Sequence, residues 1–335
     1  MENYVCLPFE EKTYLISYQN SAFPLGIIQA NAQQDISPWI ASKYINCCYH
    51  PGNIFDIGIT DKWSCVDGKL FYQRINLIKN LYDTFSCDYV NLLRGMLNLG
   101  YYANGIYNEE YIFGKASYKK NYFVHDYLLI GYDDKEQVFY SVGYLADGNF
   151  QRFIIPYDSM KQALESLKEQ IIPFYFLKYN SSTKYVFDTD LFLQELFDYI
   201  YSKTSIKQFR TDVYFGIRAI REMANDFIID VHNKQPIDTR YTRTLMEHKF
   251  LMVKRIDYLS TGLKLNLFDI QKEAIKVYRL SKTIHLLGIK YLMTRELSTG
   301  KYIIKLINEI LELEDKYLPM LYDCVKTVQR RKSLG

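Results

Sequence analysis

The chain has 335 residues, of which 48% are hydrophobic and 24% are charged, and its formal net charge is +3. No apolar run approaches the roughly 18 residues that a membrane-spanning helix needs, and the apolar content is too high for a disordered chain, so we expect a soluble folded protein. The start Met1-Glu2-Asn3 lacks the basic and apolar regions of a secretory signal, which makes the cytoplasm the expected compartment.

Charge is distributed unevenly along the chain. Residues 1–180 contain 15 Lys and Arg against 19 Asp and Glu, whereas residues 181–335 contain 26 against 19. A basic half indicates either an anionic partner or helices with solvated cationic faces. Because the cations follow helix faces without a recognised nucleic-acid-binding motif, we expect neither nucleic acid nor a membrane as the partner.

The first half has the pattern of a mixed α and β fold. The segments 44–49, 121–133, 137–145 and 150–157 are rich in β-branched and aromatic residues, and each is bounded by Gly, Asn, Asp or Pro. The last three are separated by short polar turns and predict a three-stranded antiparallel meander.

Helices are predicted on both sides of this meander. Residues 81–100 carry apolar side chains at helical spacing and end at Gly100. Residues 158–170 form an amphipathic pattern, with Asp158 or Ser159 as the predicted N-cap.

Beyond residue 184, nearly every segment has helical periodicity. The pattern predicts four or five helices joined by short polar loops, which is typical of a helical bundle. The predicted fold class is therefore α+β, with an antiparallel sheet in an N-terminal domain over 1–178 and an all-α domain over 179–335.

His125 is the strongest catalytic candidate. It stands at the start of a hydrophobic strand that is followed by a Gly-Tyr-Asp turn and a second strand. A histidine on a strand can present one ring nitrogen to a nucleophile while a neighbouring group holds the other nitrogen, as in a Cys-His-Asp triad. The alternative is a strand-end histidine that hydrogen-bonds to the backbone.

Several segments together carry a resemblance to a known family. They are the His125 strand with its following GYDD, VFYSVGY and IIPY runs, the opening 7–28, the segment 37–48, and LMEHKFLM at 245–252. They resemble papain-like cysteine peptidase domains, particularly the butirosin biosynthesis protein H N-terminal type. The resemblance implies a papain-like fold for residues 1–178.

The resemblance also implies acyl transfer rather than proteolysis. In such enzymes an acyl group passes from the phosphopantetheine thioester of an acyl or peptidyl carrier protein to a small amine, forming an amide in antibiotic or peptide-like natural product biosynthesis. Thiolate, histidine base and oxyanion site suffice for this reaction when water is excluded. No cofactor is then bound by the chain itself, because the phosphopantetheine belongs to the carrier. Carrier proteins are acidic, so we expect the basic half of the chain to be the docking face. The sequence leaves open whether the protein forms a homodimer.

The family places its nucleophile at the start of a helix that precedes the histidine. Here that helix is predicted to begin near residues 19–24, with Pro24 in its first turn. No cysteine lies there. Ser21 occupies the nucleophile position opposite His125 as base, and Gln19 or Asn20 could donate an amide N–H to an oxyanion.

Four cysteines are alternative nucleophiles, each with a disadvantage. Cys6 precedes the helix, and Cys47 and Cys48 are adjacent on a strand and point to opposite faces. Cys87 at the start of a helix could be activated by the helix N-terminus, but it resembles a small core residue, and Cys324 in the last helix is interpreted as a core or surface residue.

The third triad member is assigned to Asp147, in the turn after the strand that follows His125. On that strand the family has an acidic residue, whereas this chain has Tyr140 to Tyr144. The absence of a cysteine near residues 19–24 and of an acidic residue on this strand leaves a second hypothesis open. In it, the domain is a catalytically silent papain-like binding or scaffold protein for a carrier protein or a peptide-like product.

Other chemistries have little support in the sequence. Cys47, Cys48, His50 and Cys65 do not have a common zinc-ligand spacing, so no metal is expected. No Walker A loop, GxGxxG or HExxH pattern occurs. Glu247-His248-Lys249, together with Arg240, Arg243 and Arg255, predicts either a cluster that binds a phosphopantetheine phosphate or a carrier's acidic helix, or a salt-bridged solvated helix face.

Overall fold

The computed structural model describes residues 3–58, 71–78, 88–168, 173–205 and 212–334. The protein is an α+β protein with antiparallel sheets and a helical C-terminal part, as the sequence predicts. Its strands are β1 Tyr4–Cys6, β2 Cys47–His50, β3 Ile54–Ile57, β4 Phe71–Ile78, β5 Tyr102–Asn108, β6 Val124–Asp133, β7 Val138–Tyr144, β8 Phe150–Pro156, β9 Pro173–Tyr179 and β10 Tyr214–Phe215. Its helices are α1 Gln19–Asn31, α2 Ser37–Ala41, α3 Tyr89–Asn98, α4 Tyr157–Glu165, α5 Thr189–Ile200, α6 Gly216–His232, α7 Thr239–Thr261, α8 Phe268–Thr294 and α9 Leu297–Leu334.

The chain divides into two compact units. One comprises Met1–Gln33 and Ser64–Thr183, and the other comprises Gln34–Trp63 and Lys184–Gly335. The division near residue 183 is close to the predicted boundary at 178. Residues 34–63, which the sequence division assigns to the first domain, instead contribute Tyr49 and Phe55 to the core of the helical unit.

The first unit is built on a seven-stranded antiparallel sheet. Its order is β4-β9-β5-β6-β7-β8, and β1 pairs with the end of β6 beyond the residues that pair with β5. The predicted meander of β6, β7 and β8 is confirmed, with Leu129 opposite Ser141 and Ser141 opposite Phe153. A buried apolar cluster of α3, α4 and the sheet holds this unit together.

Local side-chain hydrogen bonds set several element ends in the first unit. Asp88 caps α3 by accepting from the backbone N–H of Val90 and Asn91. Asp133 accepts from the N–H of Lys135 and Glu136, which closes the turn between β6 and β7.

Three local predictions need correction. The cap residue of α4 is Pro156, and neither Asp158 nor Ser159 caps it, because the helix starts earlier at Tyr157. The predicted helix α1 begins at Gln19 as expected, but Pro24 lies in its interior rather than in its first turn. The predicted helix 81–100 is observed from Tyr89, and residues 81–87, with Cys87, lie outside the described residues.

The second unit is a bundle of five long helices with the hairpin β2–β3 packed against it. The predicted four or five helices after residue 184 are thus confirmed for the described part of the chain. Asp188 and Asp238 cap α5 and α7 through their carboxylates. Tyr241 packs edge-to-face on both Tyr49 and Phe55, which fixes the hairpin on the bundle.

The bundle core contains a buried ion pair. The Nζ of Lys249 donates to both carboxylate oxygens of Glu314 at 2.7 and 2.8 Å and to the hydroxyl of Tyr199 at 2.7 Å, and both charged side chains are fully buried. The prediction of a solvated or phosphate-binding cluster is therefore wrong for His248 and Lys249, which face the core, whereas Glu247 does form a salt bridge with Arg243 at 3.4 Å. His248 Nε2 lies 2.8 Å from the carbonyl of Ile45, whereas its Nδ1 has no hydrogen-bond partner among the described residues.

No helix of the described residues is both long and apolar enough to cross a membrane.

Removing one partner of the buried ion pair should destabilise the protein strongly. We expect Lys249→Met to lower the free energy of unfolding by about 3–5 kcal/mol, because Glu314 and Tyr199 keep their polar atoms in the core without the cation. The double variant Lys249→Met/Glu314→Leu should recover part of this loss. Urea denaturation would measure both.

The matched control is the exposed pair Arg221–Asp315, 3.2 Å apart. Replacing Arg221 by Met should cost at most about 1 kcal/mol. Equal losses for Lys249→Met and Arg221→Met would contradict the role assigned to the buried pair.

Candidate functional site

The candidate site lies where the N-terminus of α1 meets β6 and β7 in the sheet unit. Helix α1 begins at Gln19, directly after Tyr18, whose backbone is extended and whose carbonyl accepts from the N–H of Ser21 and Ala22. The side chain of Gln19 is buried. As the first residue of the helix, Gln19 occupies a position where the partial positive charge of the helix N-terminus is greatest.

Gln19 uses its whole carboxamide in hydrogen bonds. Its Nε2 donates to the carbonyl of Asp126 at 2.9 Å and lies 3.2 Å from Nδ1 of His125, and its Oε1 accepts from the backbone N–H of Tyr144 at 3.0 Å. A carbonyl can only accept and a backbone N–H can only donate, so these two contacts fix which end of the amide is nitrogen.

This orientation of Gln19 determines the tautomer of His125. The Nε2 group of Gln19 has only protons to offer, so Nδ1 of His125 must accept, and the neutral ring carries its proton on Nε2. The side chain of His125 is 38% exposed, and its ring stacks on Phe123 with centroids 5.8 Å apart. His125 is thus half-buried, held on its inner nitrogen and open to solvent.

The close approach of Gln19 requires a glycine at position 143 of β7. A Cβ atom built on Gly143 would lie 2.7 Å from Oε1 of Gln19. A larger residue here would displace the carboxamide and with it the hydrogen bond to His125.

Glu109 and Lys115 complete the polar environment of His125. Oε1 of Glu109 lies 3.7 Å from Nδ1 of His125 and also 3.7 Å from Nζ of Lys115. Lys115 donates to the carbonyl of Tyr144 at 2.5 Å, and its ammonium lies 4.8 Å from the ring centre of Phe153. Burial lowers the pKa of Lys115 to about 8, against the opposing effect of Glu109.

The structure brings His125 into contact with Gln19. The other two predicted site residues, Ser21 and Asp147, have no recorded contact with His125. The Ser21 hydroxyl is buried on α1 and has no hydrogen-bond partner among the described residues. Asp147 is exposed, and its carboxylate accepts from Asn149 of its own turn and from Gln151 at the start of β8. The backbone N–H of Asn149 is the main reason why the pKa of Asp147 is lowered. Their roles as nucleophile and orienter stay predictions.

The described cysteines also lie apart from this contact network. Within the residues that the structure describes, the His125 ring lies within hydrogen-bond or ion-pair distance of Gln19 and Glu109, and it also interacts electrostatically with the carboxyl group of Asp126. Cys6 is exposed, whereas Cys47 and Cys48 are buried in the other unit, where burial raises the pKa of Cys47 far above its usual range. Cys65 and Cys87 fall outside the described residues.

Sequence reasoning missed Glu109, Lys115 and Tyr144, and it gave Gln19 a different role. Glu109 and Lys115 lie in a polar stretch of sequence that is typical of a surface loop. Hydrophobic periodicity therefore does not predict that these two residues are buried. The one available hint was Gln19 itself, a polar residue at the start of an apolar helix.

The site has no recorded metal-ligand set. Among the described residues, no group of three or more His, Cys, Asp or Glu side chains could hold a metal ion, and Cys65 of the rejected zinc pattern lies outside them. No protein-family model matches the chain, and no curated protein matches it in sequence.

The tautomer of His125 is directly measurable. We expect the neutral ring to be protonated at Nε2 in the wild-type protein, because Nδ1 accepts from Gln19. Two-bond ¹H–¹⁵N correlation spectra of ¹⁵N-histidine-labelled protein, assigned with a His125→Gln variant, would show this. In Gln19→Leu we expect the ring to become a mixture of both tautomers. An Nδ1-protonated ring in the wild type would contradict the hydrogen-bond assignment.

The buried Lys115 should make stability depend on pH. Its pKa is about 8 in the fold and about 10.5 when unfolded, so between these values the unfolded chain binds more protons and the free energy of unfolding rises with pH. Lys115 alone should contribute a rise of about 2 kcal/mol from pH 7 to pH 9.5, which is measured as the difference between the wild type and Lys115→Met. Below pH 8 both states are protonated, and the cost of burying the charge is fully present.

Denaturation by urea at pH 7, 8, 9 and 9.5 would check this dependence. Lys115→Met should lose the rise, whereas the exposed control Lys135→Met should keep it. The same rise in both variants would mean that Lys115 does not titrate in this range.

Proposed function

We propose that the sheet unit is a catalytically silent papain-like domain that binds its ligand at His125 without forming a covalent bond to it. The observation that carries the proposal is the contact between Gln19 and His125 Nδ1. A nucleophile that acts with a histidine base must reach a ring nitrogen, and a carboxamide that cannot serve as a nucleophile occupies the inner one here.

The proton on Nε2 supports the same proposal. A general base needs a lone pair, and the exposed nitrogen of His125 carries a proton instead in its neutral form. To expose a lone pair, the ring would have to move the proton to Nδ1, which places two donors, His125 Nδ1 and Gln19 Nε2, against each other. The arrangement therefore suits a hydrogen-bond donor better than a base.

The surroundings of His125 suit a ligand that combines a hydrogen-bond acceptor with an apolar group. The Nε2–H can donate to a carbonyl, and the exposed ring of Phe123 beside it offers an apolar surface. A peptide-like product or the pantetheine arm of a carrier protein, the ligands that the family resemblance implies, both contain amide carbonyls next to apolar groups.

Replacing Gln19 with cysteine tests the geometry of the site. A thiol at position 19 would stand at a helix N-terminus beside an imidazole, two features that lower the pKa of a cysteine. We expect Gln19→Cys to react with iodoacetamide at pH 6.5 at least about tenfold faster than the control Ser21→Cys, which lies on the same helix without a recorded His125 contact. Peptide mapping would separate these sites from native Cys6.

In the double variant Gln19→Cys/His125→Ala, the cysteine at position 19 should react with iodoacetamide as slowly as the cysteine of the control Ser21→Cys. If Ser21→Cys reacted faster than Gln19→Cys, then position 21 and not position 19 would be the one that faces His125. That result would remove the observation on which the proposal rests.

A second measurement separates this proposal from acyl transfer. Wild-type protein incubated with an N-acetylcysteamine acyl thioester should show no acyl adduct by intact mass. An adduct on Ser21 or on any cysteine that disappears in His125→Ala would contradict the silent domain and support an acyltransferase.

A further inference from the structure

Helix α8 of the helical unit has an outward face that is unusually apolar. Its inner face, which includes Ile270, Ala274, Val277, Ile284 and Tyr291, is buried in the bundle core. On the opposite side Phe268, Leu286 and Met293 are 71%, 58% and 81% exposed, and Ile275 and Ile289 lie in the same row. At 100° per residue these five positions fall within an arc of about 60°. We call them the α8 row.

Cationic side chains lie within and beside the α8 row, with Lys282 inside its arc and Arg279 at its edge, and they continue onto α9. They are Lys272, Lys276, Arg279 and Lys282 on α8, with Lys301, Lys305 and Lys316 on α9. Lys276 pairs with Glu309 at 3.1 Å, and within the described part of the chain the other six form no ion pair. Some cations elsewhere in this unit are paired, such as Arg221 and Arg240, and others, such as Lys254 and Lys264, have no recorded ion pair. The surface beside the row therefore has unneutralised positive charge.

Two grooves share Lys276, and the second includes residues of the row. The first, of about 650 Å³, runs along α9 beside Lys276 of α8, and its lining includes the apolar Ile304 and Leu313. The other, of about 460 Å³, lies beside Phe268 and Ile275. Along α9 the first groove extends from Lys301 to Lys316, which is about 22 Å of helix. Four turns of a partner helix would fill that length.

The geometry points to the α8 row and these grooves as a docking surface for an acidic amphipathic helix of another protein. An apolar stripe on the partner would cover the row, and its acidic flanks would neutralise the unpaired cations, which is the usual pattern of helix-in-groove recognition.

Charge argues against the other occupants. A second copy packed on this face would place Lys272, Arg279 and Lys282 against the same cations of its partner, which like-charge repulsion opposes. A continuous polyanion, such as nucleic acid or an anionic bilayer, would meet Glu309 and Glu312 inside the groove. A helix can place polar or cationic residues opposite these two acids, because its side chains vary along its length.

Binding of a designed peptide tests the surface. The probe is a fluorescein-labelled helical peptide of about 15 residues, with Leu at i, i+3, i+4 and i+7 spacing and Glu on both flanks, compared with a scrambled peptide of the same composition. Fluorescence anisotropy should show saturable binding of the amphipathic peptide and much weaker binding of the scrambled one. Higher salt should weaken the binding.

Three double variants separate the contributions. The groove variant Lys301→Glu/Lys305→Glu and the row variant Leu286→Ser/Met293→Ser should each raise the Kd about tenfold or more. The control Lys135→Glu/Lys184→Glu changes the net charge equally at exposed positions outside the surface and should leave the Kd unchanged. All six positions are exposed, and circular dichroism would verify folding.

Three results would overturn the inference. Equal binding of both peptides would show non-specific attraction. Tighter binding of single-stranded DNA or of phosphatidylserine vesicles, abolished by the groove variant, would identify a polyanion as the occupant. Dimerisation of the wild type in sedimentation experiments, lost in the row variant, would identify a second copy.

Discussion

The carboxamide of Gln19 hydrogen-bonds to His125 and to the backbone of Asp126 and Tyr144, and through these contacts it ties the start of α1 to two neighbouring strands. An amide has one acceptor and one donor end, so the backbone partners leave a single orientation for it. That orientation sets the tautomer of His125, and the lack of a side chain at Gly143 makes room for it. The geometry of the site therefore depends on one polar residue that is neither charged nor nucleophilic.

Two buried charged residues, Glu109 and Lys115, lie beside the contact between Gln19 and His125. A buried ammonium beside a buried carboxylate is costly unless both find further partners, and Lys115 finds the carbonyl of Tyr144 and the face of Phe153. Tyr144 thus receives a hydrogen bond from Lys115 at its carbonyl and gives one to Gln19 from its N–H. The end of β7 is held from both sides, in keeping with a site whose groups stay fixed rather than move during a reaction.

Sequence reasoning succeeded where the signal was local. The meander over β6, β7 and β8 followed from alternating apolar residues between polar turns, and the bundle followed from helical spacing beyond residue 184. It failed where contacts join distant segments. The hairpin β2–β3 has the composition of any short strand pair, and only Tyr241 of α7, nearly 200 positions later, shows why it belongs with the helices. Likewise, the contact of Gln19 with His125 joins residues 106 positions apart, so Ser21, two positions along the same helix, was an equally reasonable choice.

The buried polar groups of the two units show why burial of a charge does not by itself indicate a catalytic site. Lys249 and Glu314 are fully buried and paired within the bundle core, where no polar side chain of the pair reaches solvent. Lys115 and Glu109 are also buried, but Glu109 lies 3.7 Å from Nδ1 of His125, whose side chain is 38% exposed. The first pair can contribute only to folding, whereas the second adjoins a group that a ligand can reach. The partial exposure of the His125 side chain, beside groups that are buried and paired, is thus the feature that distinguishes this network from the buried ion pair of the bundle.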